Sequence, residues 1–113
     1  MQGSFKIVSM SEMLVILCTC PDEATAVKLA GSLVERRMAA CVNIFPAIRS
    51  IYRWQGETCN EMESLMVIKS LACHYKELEA WLSEHHPYDI PEIVALPVNQ
   101  VSNDYLGWIA SNS

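Results

Sequence analysis

The side chains in this sequence whose types and spacing suggest chemistry are thiols and imidazoles. Cys18 and Cys20 sit two residues apart at the end of the apolar run Met13-Leu14-Val15-Ile16-Leu17-Cys18. His85 and His86 open a connector, His85-His86-Pro87-Tyr88-Asp89-Ile90-Pro91-Glu92-Ile93, which adds a phenol, two carboxylates and two prolines. Thiolate and imidazole together suit copper and zinc, and soft sulfur favours Cu(I). If the first strand persists to Cys20, period-two alternation puts both thiols on one side. A single Cys-x-Cys is a weak metal signal beside a paired set, and it is not the Cys-x-x-Cys of a thioredoxin-like centre. The two histidines flank a helix stop and cannot both face inward, so one ligates while the other meets solvent or a neighbouring subunit. The same residues have a plainer reading, which spacing alone favours. His85 is then a satisfied core residue, His86 a cation at a helix C-terminus and Cys18 a small hydrophobe.

A second group is acidic and aromatic. Glu61, Glu63 and Lys69 share one face of a strand if its register is uninterrupted, and the default for such a strand end is solvation. The alternative is a polar cleft between subunits lined by Lys69, Tyr88, Glu92 and Trp54. No serine or cysteine nucleophile has a sequence-visible base, and four glycines form no phosphate-cradling loop. The expectation is therefore a binding protein and not an enzyme.

These groups need elements to position them. Met13–Cys18 reads as a strand apolar on both faces. Asp22 is a helix N-cap candidate with Glu23 in the first turn, and Ala26, Val27, Ala30, Leu33, Val34 and Met38 follow at helical spacing. Ala40–Ile44 reads as a second strand ended by Pro46. Ser50–Trp54 then pairs with a return strand from Glu61 to Lys69 through a turn at Gln55-Gly56-Glu57, with Tyr52 and Trp54 on one face. A second helix runs from Cys73 to His85 with Leu71, Tyr75, Leu78, Leu82 and His85 along a stripe, and Pro87 ends it. The last strand is Ile93–Val98, and Tyr105–Ile109 is a short closing helix.

At 113 residues with 51% hydrophobic side chains the chain is one domain, over residues 13–113, preceded by a poorly patterned arm over residues 1–12. A net charge of −5 argues against nucleic acid or an anionic membrane as partner. No apolar run approaches the roughly 20 residues of a membrane span. The run at Met13–Cys18 lacks the flanks of a signal core. Five cysteines, odd in number and unevenly spaced, suit a reducing cytoplasm; Cys41, Cys59 and Cys73 read as packing or incidental residues.

The element order predicts an α+β ferredoxin-like split βαβ sandwich, β-α-β-β-α-β, with an added C-terminal helix. In that topology the first and last strands are antiparallel neighbours, which brings Cys18, His85, His86 and Glu92 to one edge. Two helices cover one face of the sheet, yet three strands are apolar on both faces. A symmetric homo-oligomer is the economical cover for the other face; the competing reading gives that task to the closing helix alone.

Four segments in register then resemble the CutA family of divalent-cation-tolerance proteins. They are Leu17-Cys18-Thr19-x-Pro21-Asp22, Ala39–Ile44, Ser50–Gly56 and His85-His86-Pro87-Tyr88-Asp89-x-Pro91-Glu92-Ile93. The likeness runs from about Met13 to Ile109. It implies a homotrimer of ferredoxin-like subunits, related in architecture to PII-type signalling proteins that bind small ligands between subunits. It implies copper, or another divalent cation such as zinc, held by Cys18, His85 and His86 with Glu92 beside them. Cys20 departs from the pattern. The function expected from the resemblance is cytoplasmic metal-ion tolerance without catalysis. The alternative is a PII-like sensor taking a small anion in a cleft built from Trp54, Glu61, Lys69 and Tyr88.

Overall fold

The apolar run that starts at Met13 becomes the middle of a sheet. The computed structural model describes residues 12–113; the arm expected over residues 1–12 lies, Glu12 apart, outside the described residues. The elements are β1 (Met13–Cys20), α1 (Glu23–Glu35), β2 (Cys41–Trp54), β3 (Glu57–Leu71), a 3-10 turn (Ala72–His74), α2 (Tyr75–His85), β4 (Val94–Pro97) and α3 (Asn103–Asn112). The sheet order is β2-β3-β1-β4 with every pairing antiparallel. That is the split βαβ order expected of an α+β ferredoxin-like sandwich.

Alternation along the strands decides what each face does. Ile16, Cys18 and Cys20 of β1 and Met66 and Ile68 of β3 face α1 and α2 and form the main core with Leu33, Leu78 and Leu82. Each such aliphatic side chain, fully buried, contributes about 1.5–3 kcal/mol. Asp22 caps α1 by accepting the Thr25 N–H at 2.8 Å. The buried stripe of α1 is Ala26, Leu29, Ala30 and Leu33, an i, i+3, i+4, i+7 set. Val27 and Val34, expected on that stripe, sit one step round the helix and are exposed. After α1, Arg37 adopts the left-handed conformation (φ 60°), and its guanidinium donates to the Ser111 carbonyl at 2.9 Å, tying the turn to α3.

The strands expected at Ala40–Ile44 and Ser50–Trp54 are one continuous strand. β2 does not end at Pro46 but runs on to Trp54, because the register with β3 shifts by one residue between Phe45 and Ile48. This bulge absorbs a proline that has no N–H to give the ladder. The Pro46 carbonyl instead accepts the buried Ser64 hydroxyl at 2.6 Å. The extra residue also reverses parity. Phe45 shares a face with Leu65, whereas beyond the bulge Ser50, Tyr52 and Trp54 share that face with Glu61 and Glu63. The turn is the two-residue loop Gln55-Gly56, both at positive φ (51° and 82°), which suits the twist of a hairpin.

β1 pairs with β3 only from Ser64 to Leu71, so the outer β2–β3 hairpin projects as a two-stranded ribbon. The molecule measures 55 × 28 × 23 Å, with a radius of gyration of 15.5 Å. A compact domain of this length would have about 13 Å. The closing helix is longer than expected, at ten residues. It covers one end of the second sheet face, where Ile109 packs on Met13, Ala40 and Leu71. Beyond it Phe45, Val94 and Leu96 on the same face remain exposed, and Val15, Leu17 and Val67 are half-buried.

Candidate metal centre

Cys18 and Cys20 both point into the core from the end of β1, because the strand persists through Cys20 and its period is two. α2 ends at His85, and His86 leaves the helix in an extended conformation (φ −76°, ψ 141°), as Pro87 requires of its predecessor. That break turns His86 inward. A ring nitrogen of His86 and the two sulfurs lie within 4.8 Å of one another, all three side chains buried.

The hydrogen bonds fix the imidazole. Nε2 lies 2.8 Å from the Thr19 carbonyl, which can only accept, so Nε2 carries the proton. Nδ1 accepts the Tyr88 backbone N–H at 3.1 Å. His86 is thus neutral, with its lone pair on Nδ1. The carbonyl on Nε2 is the outer partner that metal-bound histidines commonly have, so the ring suits a metal if Tyr88 N–H is released. The thiols are coupled. A hydrogen bond to Cys20, burial and the negative charges of Cys20 and Glu92 push the Cys18 thiol far above the usual range. The same bond from Cys18 eases ionisation of Cys20, against burial and the charges of Asp22 and Glu63. The shared bond thus holds the Cys18 proton more tightly and the Cys20 proton less tightly. Two thiolates and a neutral imidazole form a donor set that fits a soft cation, and the carboxylates beyond them contribute charge only.

His85 lies elsewhere. Its Nδ1 donates to the Trp81 carbonyl at 2.8 Å, and its ring stacks on Trp81 at 4.2 Å. With its side chain 42% exposed and 3.8 Å from Glu84, it closes the last turn of α2 and stays outside the cluster. Glu92 precedes β4 and lines an adjoining cavity, acting on Cys18 by charge alone.

That cavity, of about 690 Å³, opens beside Thr19 under the projecting ribbon. It gathers Trp54, Glu61 and Tyr88 of the expected cleft residues, with Tyr52 as a further ring. Tyr88 donates to Glu63 at 2.6 Å and Tyr52 to Glu61 at 2.6 Å. Burial and the bond to Glu63 raise the Tyr88 phenol; the bond to Glu61 pushes Tyr52 up to about 12. Lys69 is not in the lining. It is six residues along β3 from Glu63, about 20 Å in a strand, with its ammonium 5.7 Å from the centre of the Tyr105 ring. The lining carries four carboxylates (Glu61, Glu63, Asp89, Glu92) and no lysine or arginine. Sequence reasoning missed Tyr52 and Asp89 here. The shared face of Tyr52 with Trp54 was the available signal for the first.

The model of the family described as CutA1 divalent ion tolerance protein matches residues 14–112. The chain belongs to the CutA family. It is 47% identical over 98 residues to the divalent-cation tolerance protein CutA of Pectobacterium atrosepticum, covering 87% of this chain and 89% of that one. Among solved structures, the divalent cation tolerance protein of Thermus thermophilus superposes with a TM-score of 0.86 at 44% identity, over 89% of this chain and 98% of that one. CutA1 from Oryza sativa gives 0.88 at 33% identity, over 93% and 96%. The CutA fold therefore spans the whole sheet, both cysteines and the histidine connector. No helix among the described residues is long and apolar enough to cross a membrane.

Proposed function

We propose that this protein holds metal ions, copper foremost and zinc second, at the buried end of β1, and that it contributes to divalent-cation tolerance by sequestering them. The observation that carries this is the convergence of two thiols and an imidazole within 4.8 Å. The names of its relatives support the tolerance role. It acts by binding and not by catalysis, since both sulfurs are 0% exposed and out of reach of a substrate. Five free thiols suit the reducing cytoplasm. A homotrimer suits the half-open apolar sheet face and the ribbon, because a two-stranded ribbon is marginal by itself.

The test is a copper titration of the reduced protein against a competing chelator, beside a Cys18→Ala, His86→Ala double variant. Tight binding that the double variant loses is the expected result. Equally weak binding by both removes the metal function.

The cavity favours a second reading, a PII-like sensor with a small ligand in an intersubunit cleft. With four carboxylates and no lysine or arginine in the lining, the ligand is a cation, not the anion that Lys69 would have held. Thermal-shift measurements with copper, zinc, and cationic and anionic metabolites separate the two readings.

A further inference from the structure

From the same cluster we infer that Cys20 takes the ligand position that the family resemblance assigns to His85, making the centre a Cys18–Cys20 dithiolate with His86 as third donor. This rests on the metal-binding function proposed above and specifies its coordination. Three observations carry it. The Cys20 sulfur is within 4.8 Å of both the Cys18 sulfur and a His86 ring nitrogen. Two thiolates on one ion, each at about 2.3 Å, span at most about 4.6 Å, so sulfurs already within 4.8 Å of each other need little or no movement to share one. His85, by contrast, has its Nδ1 on the Trp81 carbonyl and its ring stacked on Trp81. To ligate, it would have to break both contacts and unwind the end of α2.

The donor set also selects the ion. Two thiolates and one imidazole in a dry core match the soft, low-coordinate demands of Cu(I), and they offer no oxygen donor to a hard divalent cation. One Cu(I) replaces two thiol protons, which leave to solvent, and the centre ends with one negative charge. His86 enters through Nδ1, with Nε2–H kept on the Thr19 carbonyl.

The experiment is a Cu(I) titration of the reduced, full-length protein against a chromogenic Cu(I) chelator, with Cys20→Ser, Cys20→Ala and His85→Ala in parallel and circular dichroism as the folding control. Cys20 variants lose at least about a hundredfold in affinity and His85→Ala stays within about threefold, since outer partners alone are worth about 10- to 100-fold. Thiolate-to-copper charge-transfer absorption in the wild type falls in the Cys20 variants. Folded Cys20 variants that bind like wild type, with His85→Ala losing the metal, overturn the inference and leave metal binding standing. No Cu(I) binding by wild type overturns both. If the Cys20 variants do not fold, X-ray absorption of the copper-loaded wild type decides: two sulfur neighbours are expected, and one overturns the assignment.

Discussion

At the scale of single residues, hydrogen-bonded carboxylates set the behaviour of the cavity. Glu63 is only 8% exposed, and its side-chain partner is the Tyr88 hydroxyl. Tyr88→Phe leaves that carboxylate short of a donor, and it lowers stability by about 1–3 kcal/mol in denaturant unfolding. Tyr52 gives a pH signature. Its phenol is held neutral by Glu61 and titrates near 12, above the ordinary value of 10.0. A raised pKa in the folded state means that this contribution is complete below pH 10 and is lost as pH rises through about 12. Ultraviolet titration of tyrosinate should show the late phenol, and Tyr52→Phe should remove it. The thiol pair was legible in the sequence because strand alternation is rigid: once β1 reached Cys20, the two sulfurs had to share a side. The division of labour between the histidines was legible only as a rule that one faces in. Which one depends on the residue at which α2 stops, and Pro87 makes His86 the first extended residue. The hydrogen bonds that fix its tautomer come from Thr19 and from the backbone of Tyr88, neither of which leaves a pattern in sequence.

At the scale of elements, the bulge in β2 decides which side chains reach the cavity. Extended without a break, the register of Cys41–Phe45 would put Ile51 and Arg53 on the face of Glu61 and Glu63; the one-residue shift puts Tyr52 and Trp54 there instead. Deleting Ala47 leaves the pairing from Ile48 with Glu63 to Trp54 with Glu57 in place, so ultraviolet titration of that variant should still show the raised Tyr52 phenol. The hairpin tip makes a separate prediction. A methyl group at Gly56 would meet nothing within 4 Å, so only its φ of +82° resists substitution. Gly56→Ala should cost about 1 kcal/mol through backbone strain alone. Most elements were readable from period and punctuation: the N-cap Asp22, the proline stop after His86 and the apolar runs of β1 and β3. The joining of two short strands into one long β2 was not, because Pro46 signals an end wherever no bulge accommodates it. The stripe of α1 was misread at Val27 and Val34, whose hydrophobicity says nothing about which side of a helix they occupy.

At the scale of the whole molecule, the open sheet face and the ribbon are the surfaces that the proposed homotrimer would cover. A carboxylate introduced at Val67, on that face, would be desolvated between copies. Val67→Glu should therefore reduce the mass in sedimentation from three times 12.7 kDa toward a single chain and lower the unfolding temperature. The uncovered face was legible as a surplus of apolar strand faces over helices, and Phe45, Val94 and Leu96 lie exposed on it; the number of copies was implied by the family resemblance alone. The placement of Lys69 was not legible. Period two correctly gives it the face of Glu61 and Glu63, but the length of β3 carries it far from both, to α3.

Tyr88 is shared between the two sites. Its backbone N–H rests on His86 Nδ1, the nitrogen that a metal would claim, while its hydroxyl holds Glu63 in the cavity wall. On the coordination inferred above, an ion held by His86 Nδ1 would displace the Tyr88 amide, and the phenol on the same residue would have to adjust. Thermodynamic linkage then works in both directions: whatever factor Cu(I) imposes on the affinity of a cation for the cavity, that cation imposes on Cu(I). If the cluster holds metal as proposed, filling it would change what the neighbouring cavity accepts, and storage would carry a readout with it.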